Sequence, residues 1–164
     1  MKEVTFLDNY LNQLFYKKDT FNEVQNIEGK VFREYENRIT KQFEAQDKKY
    51  FIKFHGPVGW REIFKNLFQI KTPVIGAQRE YEALNHLSKN NINCPQIKGF
   101  GKKGINPANS SSFIITEELY GTLSLEEFFL KNLHKNLSFN QKCNLIKASA
   151  SIIRKMHSSG LNHR

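Results

Sequence analysis

The sequence predicts an α+β fold in which a small antiparallel sheet is followed by helices. Three observations carry this. Residues Val31 to His55 are rich in β-branched and aromatic side chains and break at Gln46-Asp47-Lys48, as two antiparallel strands joined by a turn would. A second apolar run, Phe113 to Leu119, reads as a further strand. Beyond Ser124 the apolar spacing is helical to the end. Strands first, one prominent helix between them, then helices alone, separate a sheet layer from a helical one.

Between the strands, WREIFKNLFQI repeats Trp60, Ile63, Phe64, Leu67 and Phe68 at the spacing of one helical face, and Thr72-Pro73 interrupts it. A second helix is predicted from Gly76 to Asn90, with Ala77, Tyr81, Leu84 and Leu87 as its stripe. A strand through Ile97 follows, and GKKGINPANSSS, Gly101 to Ser112, reads as an exposed loop. Ser124 and Glu127 make a capping-box pattern for a short helix. The last helix, Phe139 to Ser158, carries Leu145, Ile146, Ile152, Ile153 and Met156 on one side and stops at Gly160.

The 164 residues suffice for one domain or for one lobe with part of another, and 39% hydrophobic content with 14 phenylalanines supports a real core. A net charge of +9 favours anionic partners without choosing between phosphorylated small molecules, nucleic acid and an acidic membrane. Cys94 and Cys143 are far apart and lack metal-type spacing, so neither a disulfide framework nor a zinc site is expected, and a reducing cytosol fits. The N-terminal stretch is broken by Asp8, Asn9, Asn12 and Gln13, so it reads as neither signal peptide nor membrane span, and membrane contact would be peripheral.

In KKYFIKFH, alternation puts Tyr50, Ile52 and Phe54 on one face and Phe51, Lys53 and His55 on the other. Lys53 alone would be an ordinary lysine on a wet strand face. Glu80, however, projects near the middle of the apolar stripe of the following helix, where a carboxylate is costly without a partner. Lys53 is the natural partner, and the pair would hold an ammonium ready for phosphates; the bland alternative leaves Glu80 at the rim of the stripe. His55, His86 and His134 are isolated and read as surface or packing residues.

A strand lysine followed by a helix glutamate resembles the protein kinases. EGKVFRE, YFIKFHGPVGWREIFKNL, PVIGAQREYEAL, GKKGINP, SFIITEEL and MHSSGLNHR together resemble, more closely, the lipopolysaccharide core heptose kinase family across nearly the whole chain. That resemblance implies a protein-kinase-like sheet lobe over residues 1–118, with an N-terminal extension, then a hinge and the start of a helical lobe over 119–164. It implies transfer of phosphate from ATP, with Mg²⁺, to a lipopolysaccharide inner-core heptose. The place would be cytoplasmic, in peripheral contact with the cytoplasmic face of the inner membrane.

Residue by residue, the resemblance has Lys53 contacting ATP phosphates, Glu80 anchoring Lys53, and Glu118 with Leu119 forming the adenine hinge. The phosphate-covering turn would centre on Gly29 beside Lys30, Phe51 would stand against the adenine, and His163 and Arg164 would begin the catalytic loop. The sequence departs in showing one glycine at the nucleotide loop, a bulky Phe51, and no Asp after Arg164, so the chain as given is expected to be an inactive fragment with metal ligands beyond its end. Rival readings are a non-catalytic nucleotide-binding remnant, a Kdo kinase relative, and a basic nucleic-acid-binding module. The last has no RRM, KH or helix-turn-helix signature behind it, so no nucleic acid is expected.

Overall fold

A computed structural model describes residues 2–15, 19–68 and 76–161 of the chain. The Thr72-Pro73 break, together with His163 and Arg164, lies outside the described residues. The chain divides into two compact units, Met1–Asn85 with Pro95–Glu118, and His86–Cys94 with Leu119–Arg164.

The first unit is built on a six-stranded antiparallel sheet. In chain order its elements are β1 (Lys2–Phe6), α1 (Asn9–Phe15), α2 (Thr20–Asn26), β2 (Lys30–Tyr35), β3 (Arg38–Ala45), β4 (Lys48–His55) and α3 (Gly59–Phe68). Helix α4 (Gln78–Lys89) follows, then β5 (Ile97–Lys103) and β6 (Ser111–Glu117). The strand order is β1-β5-β6-β4-β3-β2, so β4 lies inside the sheet between β3 and β6. Its pairing is set by the turn at Gln46 and Asp47, both in the left-handed region at φ 50° and 58°, which suits the twist of a two-residue hairpin.

One face of the sheet carries the main core. Phe43, Tyr50, Ile52, Phe54, Phe113 and Ile115 are buried against Leu11 and Phe15 of α1 and Phe21 and Val24 of α2. Phe113 meets Phe21 edge-on at 5.3 Å and stacks with Phe6 at 6.0 Å. Gly101 lies under the Phe113 ring so closely that any side chain there would collide with it. On the other face, Ala77 and the Tyr81 and Leu84 side chains of α4 pack on Phe100 and Ile114, with Tyr81 stacked on Phe100 at 4.2 Å. The stripe read from the sequence therefore does bind α4 to the sheet.

Two expectations are corrected, and one strand was not foreseen. The Val31–His55 region is three strands, because a second turn at Glu36-Asn37, with Glu36 at φ 50°, divides it. The N-terminus is part of the sheet: β1 pairs with β5 from Lys2↔Lys103 to Phe6↔Gly99. The loop spans only residues 104–110, since Gly101 to Lys103 complete β5 and Ser111 and Ser112 open β6, which ends at Glu117. Glycine and lysine read as loop formers locally, but pairing on both sides of β5 overrides that tendency.

In the second unit, α5 (Leu125–Leu130) starts at Ser124, whose Oγ accepts the Glu127 N–H at 3.1 Å. Helix α6 (Phe139–Ser158) has a full capping box between Ser138 and Gln141. His86, at the end of α4, meets the Ser159 carbonyl through Nε2 at 2.8 Å. Ile146, Ile152 and Ile153 of α6 are all more than half exposed. Among the described residues no helix is long and apolar enough to cross a membrane.

Because Phe113 joins the two strand neighbours to α2 and β1, Phe113→Ala should cost about 3–5 kcal/mol. Urea unfolding at unchanged m-value is the measurement. A loss under about 1 kcal/mol would mean the aromatic core is not assembled this way.

Candidate active site

The alternation of β4 presents Phe51, Lys53 and His55 on the face not covered by α1 and α2. Register extends that face sideways: Thr40 pairs with Lys53, Gln42 with Phe51, and Arg33 with Thr40. The ladder between β2 and β3 shifts register between Val31 and Arg33. Such a bulge changes the alternation, so consecutive residues Phe32 and Arg33 both serve this face. Phe32 meets Phe51 edge-on at 5.2 Å, and Arg33 lines a cavity with Lys53.

The face thus has two ends, about 7 Å apart along β4. At the apolar end stand Phe51 and Phe32, with the Lys30 ammonium 4.9 Å from the centre of the Phe32 ring. Gln42 donates through Nε2 to Glu118 Oε1 at 2.8 Å, which brings the residue after β6 to this end. At the charged end, Lys53 Nζ meets Glu80 Oε1 at 2.6 Å. The two side chains are 43% and 33% exposed, so Glu80 sits at the rim of the α4 stripe and not at its buried middle. The pair forms as read from the sequence, but in a position that a ligand can reach.

Beside this pair lies a cavity of about 220 Å³. The β2–β3 hairpin supplies Arg33, Tyr35 and Arg38, β4 supplies Lys53 and His55, and α4 supplies Glu80. Three cations against one carboxylate give the lining a net positive charge, which favours an anion. A larger groove of about 330 Å³ lies where Glu34, Glu36, Arg38 and Lys41 meet Gly56-Pro57. It mixes charges and lacks Lys53, so the smaller cavity is the candidate. The hairpin tip that roofs it is fixed: the Gly56 N–H donates to the Asn37 carbonyl at 2.7 Å, and Asn37 Nδ2 donates to the Pro57 carbonyl.

The remaining residues singled out in the sequence fall as follows. Gly29 stands just before β2, packed so tightly on the Gln42 carbonyl that a Cβ would collide with it. It is therefore at the far end of the hairpin from the Glu36-Asn37 turn, which is the turn near Lys53. Lys30 stays with Phe32 at the apolar end. The Glu118 N–H donates to the Lys49 carbonyl at 2.9 Å, and the Leu119 carbonyl accepts from Thr122 Oγ1 at 2.8 Å. Leu119 begins the second unit and is half exposed. His163 and Arg164 lie outside the described residues.

Sequence reading missed Arg33, Arg38, Phe32 and His55. The arginines were hidden because the turn was sought at a glycine, and a bulge leaves no local signal. His55 was detectable, since it is two residues from Lys53 on the same face. Its Nδ1 is buried and has no hydrogen-bond partner among the described residues. Burial, then the Arg38 charge, lowers its pKa from the ordinary 6.5, with Lys53 adding to the fall and Glu80 opposing it.

A histidine with a depressed folded-state pKa stays neutral while the unfolded chain takes up a proton, so stability is full above pH 6.5 and falls as pH drops below that value. Urea midpoints should decline more steeply with falling pH in the parent protein than in His55→Gln. By NMR, His55 should titrate below 6.5, and Arg38→Gln should move its midpoint upward. A midpoint at or above 6.5 in the parent protein would contradict this packing.

Comparison with known proteins agrees with the geometry. The chain is 43% identical over 154 residues to the lipopolysaccharide core heptose(I) kinase WaaP of Escherichia coli K12, covering 94% of this chain and 58% of that protein. It is 37% identical over 158 residues to the same enzyme of Pseudomonas aeruginosa, covering 96% and 59%. A solved structure described as WaaP in complex with acyl carrier protein superimposes with a TM-score of 0.73 at 28% identity, over 94% of this chain and 56% of that one. The chain thus spans a little under three-fifths of the length of these relatives. Its fold is protein-kinase-like, and the pattern of the lipopolysaccharide kinase (Kdo/WaaP) family matches residues 22–164, so the chain belongs to that family.

Proposed function

We propose that the protein binds ATP on the open face of the sheet and serves transfer of its terminal phosphate to a heptose hydroxyl of the lipopolysaccharide inner core. The observation that carries this is the 2.6 Å Lys53–Glu80 pair, set in the wall of a cation-rich cavity next to an aromatic platform. A nucleotide has the same two-part character: a flat, largely apolar base and a string of negative charge. Phe51 and Phe32 offer the base a stacking surface, and the Glu118 carbonyl can accept from its amino group.

Lys53 meets the inner phosphates, with Glu80 holding its ammonium in place from the helix side. Arg33 and Arg38 offer planar guanidinium groups from the hairpin above, beside His55 in the same lining. Together they would spread the charge that builds on the transferring group, which is where electrostatic catalysis acts. In the transfer itself the sugar oxygen bonds to the terminal phosphorus, the bridging oxygen leaves with ADP, and the hydroxyl proton passes to a base. His163 and Arg164 would lead into the loop that carries that base. Mg²⁺ bound to the phosphates would neutralise further charge, but among the described residues no cluster of three His, Cys, Asp or Glu side chains could hold a metal ion. The acceptor and the net charge of +9 favour work at the cytoplasmic face of the inner membrane.

Calorimetric titration separates the parts. Lys53→Met should weaken ATP binding roughly ten- to a hundredfold, the range for a charge-assisted hydrogen bond, and Arg38→Gln should weaken it severalfold. Affinity for adenosine should change little in either, because adenosine carries none of the phosphates these cations meet. Unchanged ATP affinity in Lys53→Met would overturn the nucleotide reading. Transfer of labelled phosphate to a heptose-bearing acceptor by the full-length gene product, absent from its Lys53→Met form, tests the acceptor class.

A further inference from the structure

Helix α3 is amphipathic, yet three of its aromatic side chains are turned away from the protein. At roughly 100° per residue, Trp60, Phe64 and Phe68 fall within an arc of about 80°, while Ile63 lies about 60° to the other side of Trp60. Ile63 is 8% exposed and α3 rests on the short helical turn Pro107–Asn109. Trp60, Phe64 and Phe68 are 51%, 52% and 86% exposed. Trp60 and Phe64 stack on each other at 5.8 Å, so the aromatic surface is continuous. Arg61 and Lys65, both exposed, follow directly at the edge of that arc.

Three exposed aromatic rings make an apolar patch on the order of 300 Å², the size of the largest patch on an ordinary monomer, which is often functional. A second copy of the chain fits it poorly. Ten residues of helix extend only about 15 Å, which cannot by itself supply the roughly 800 Å² per partner of a stable pair. Two copies would also bring Arg61 and Lys65 together. An anionic bilayer surface fits both parts: aromatic rings settle at the boundary of headgroup and acyl chain, and flanking cations lie among the lipid phosphates. The surplus of 25 Lys and Arg over 16 Asp and Glu points the same way.

We propose that α3 is a membrane-docking helix, which inserts Trp60, Phe64 and Phe68 into an anionic phospholipid surface with Arg61 and Lys65 as its electrostatic rim. The docking rests on and deepens the membrane-face placement of the proposed function, but it is independent of the nucleotide reading, since neither the lipid contact nor its test involves a nucleotide.

Trp60 is the one tryptophan of this 164-residue chain, so the chain's tryptophan emission reports on this helix. Titration with vesicles of phosphatidylglycerol and phosphatidylethanolamine should shift the emission to the blue and carry the protein along on flotation, and salt should weaken both. Phosphatidylcholine vesicles should do neither. Removing Arg61 or Lys65 as Gln should lower vesicle affinity roughly fivefold each, the weight of one cation near such a surface. Phe64→Ser with Phe68→Ser should abolish the shift while circular dichroism and ATP binding stay at parent values. The proposal fails if Trp60 emission ignores the vesicles, or if the double serine variant still floats. It also fails if the blue shift follows protein concentration without lipid, which would make a second copy the occupant. Loss of ATP binding with vesicle binding intact would instead sink the nucleotide reading alone.

Discussion

The register of β4 between β3 and β6 is the constraint from which the rest follows. With Lys53 opposite Thr40 on one side and Ile114 on the other, Tyr50, Ile52 and Phe54 enter the core under α1 and α2. Phe51, Lys53 and His55 then share the opposite face. Because side chains alternate with a period of two, a slip of one residue would exchange these sets, burying a lysine and exposing three large apolar groups. Ile52 is wholly buried, and the Gln46-Asp47 turn admits only one pairing of Ala45 with Lys48. Burial and turn geometry therefore enforce the same register, and the composition of the open face is a by-product of the core.

The Lys53–Glu80 pair depends on that frame and does little to stabilise it. With both side chains a third or more exposed, solvent screens the attraction to about 0–1 kcal/mol. What places Glu80 is the packing of Ala77, Tyr81 and Leu84 on Phe100 and Ile114. The Ala77 N–H, just before α4, is also held by the buried Ser112 Oγ at 2.8 Å. A deeply buried pair would carry a larger desolvation cost and would keep the ammonium from any ligand. Partial exposure is thus the condition under which the pair can position a group for phosphates.

Where the sequence was legible, the signal was local. Alternation in KKYFIKFH placed Lys53, the stripe around Glu80 placed α4, and the limits of α6 at Phe139 and Ser158 followed from apolar spacing and Gly160. What stayed hidden depends on partners distant in the chain. Lys2–Phe6 becomes a strand because β5 offers an edge, and Ile97–Lys103 becomes one because two neighbours pair with it. The site divides in the same way: Lys53 and Glu80 were readable, whereas Phe32 and Arg33 reach the open face through a bulge against β3. Gly29 was the misleading residue. Its missing side chain is required by contact with the Gln42 carbonyl, not by a turn around phosphates.

That difference changes how the charged cavity is roofed. A glycine-rich turn offers backbone amides and pays for its freedom in entropy when it closes on a ligand. Here the roof is Tyr35-Glu36-Asn37-Arg38, without a glycine, and Asn37 binds it through two hydrogen bonds to the Gly56-Pro57 segment. Two hydrogen bonds hold the tip, and the guanidinium groups of Arg33 and Arg38 line the cavity where a glycine-rich turn would present amides. Gly56-Pro57 also joins β4 to α3, so the roof of the cavity and the exposed aromatic helix share one anchor.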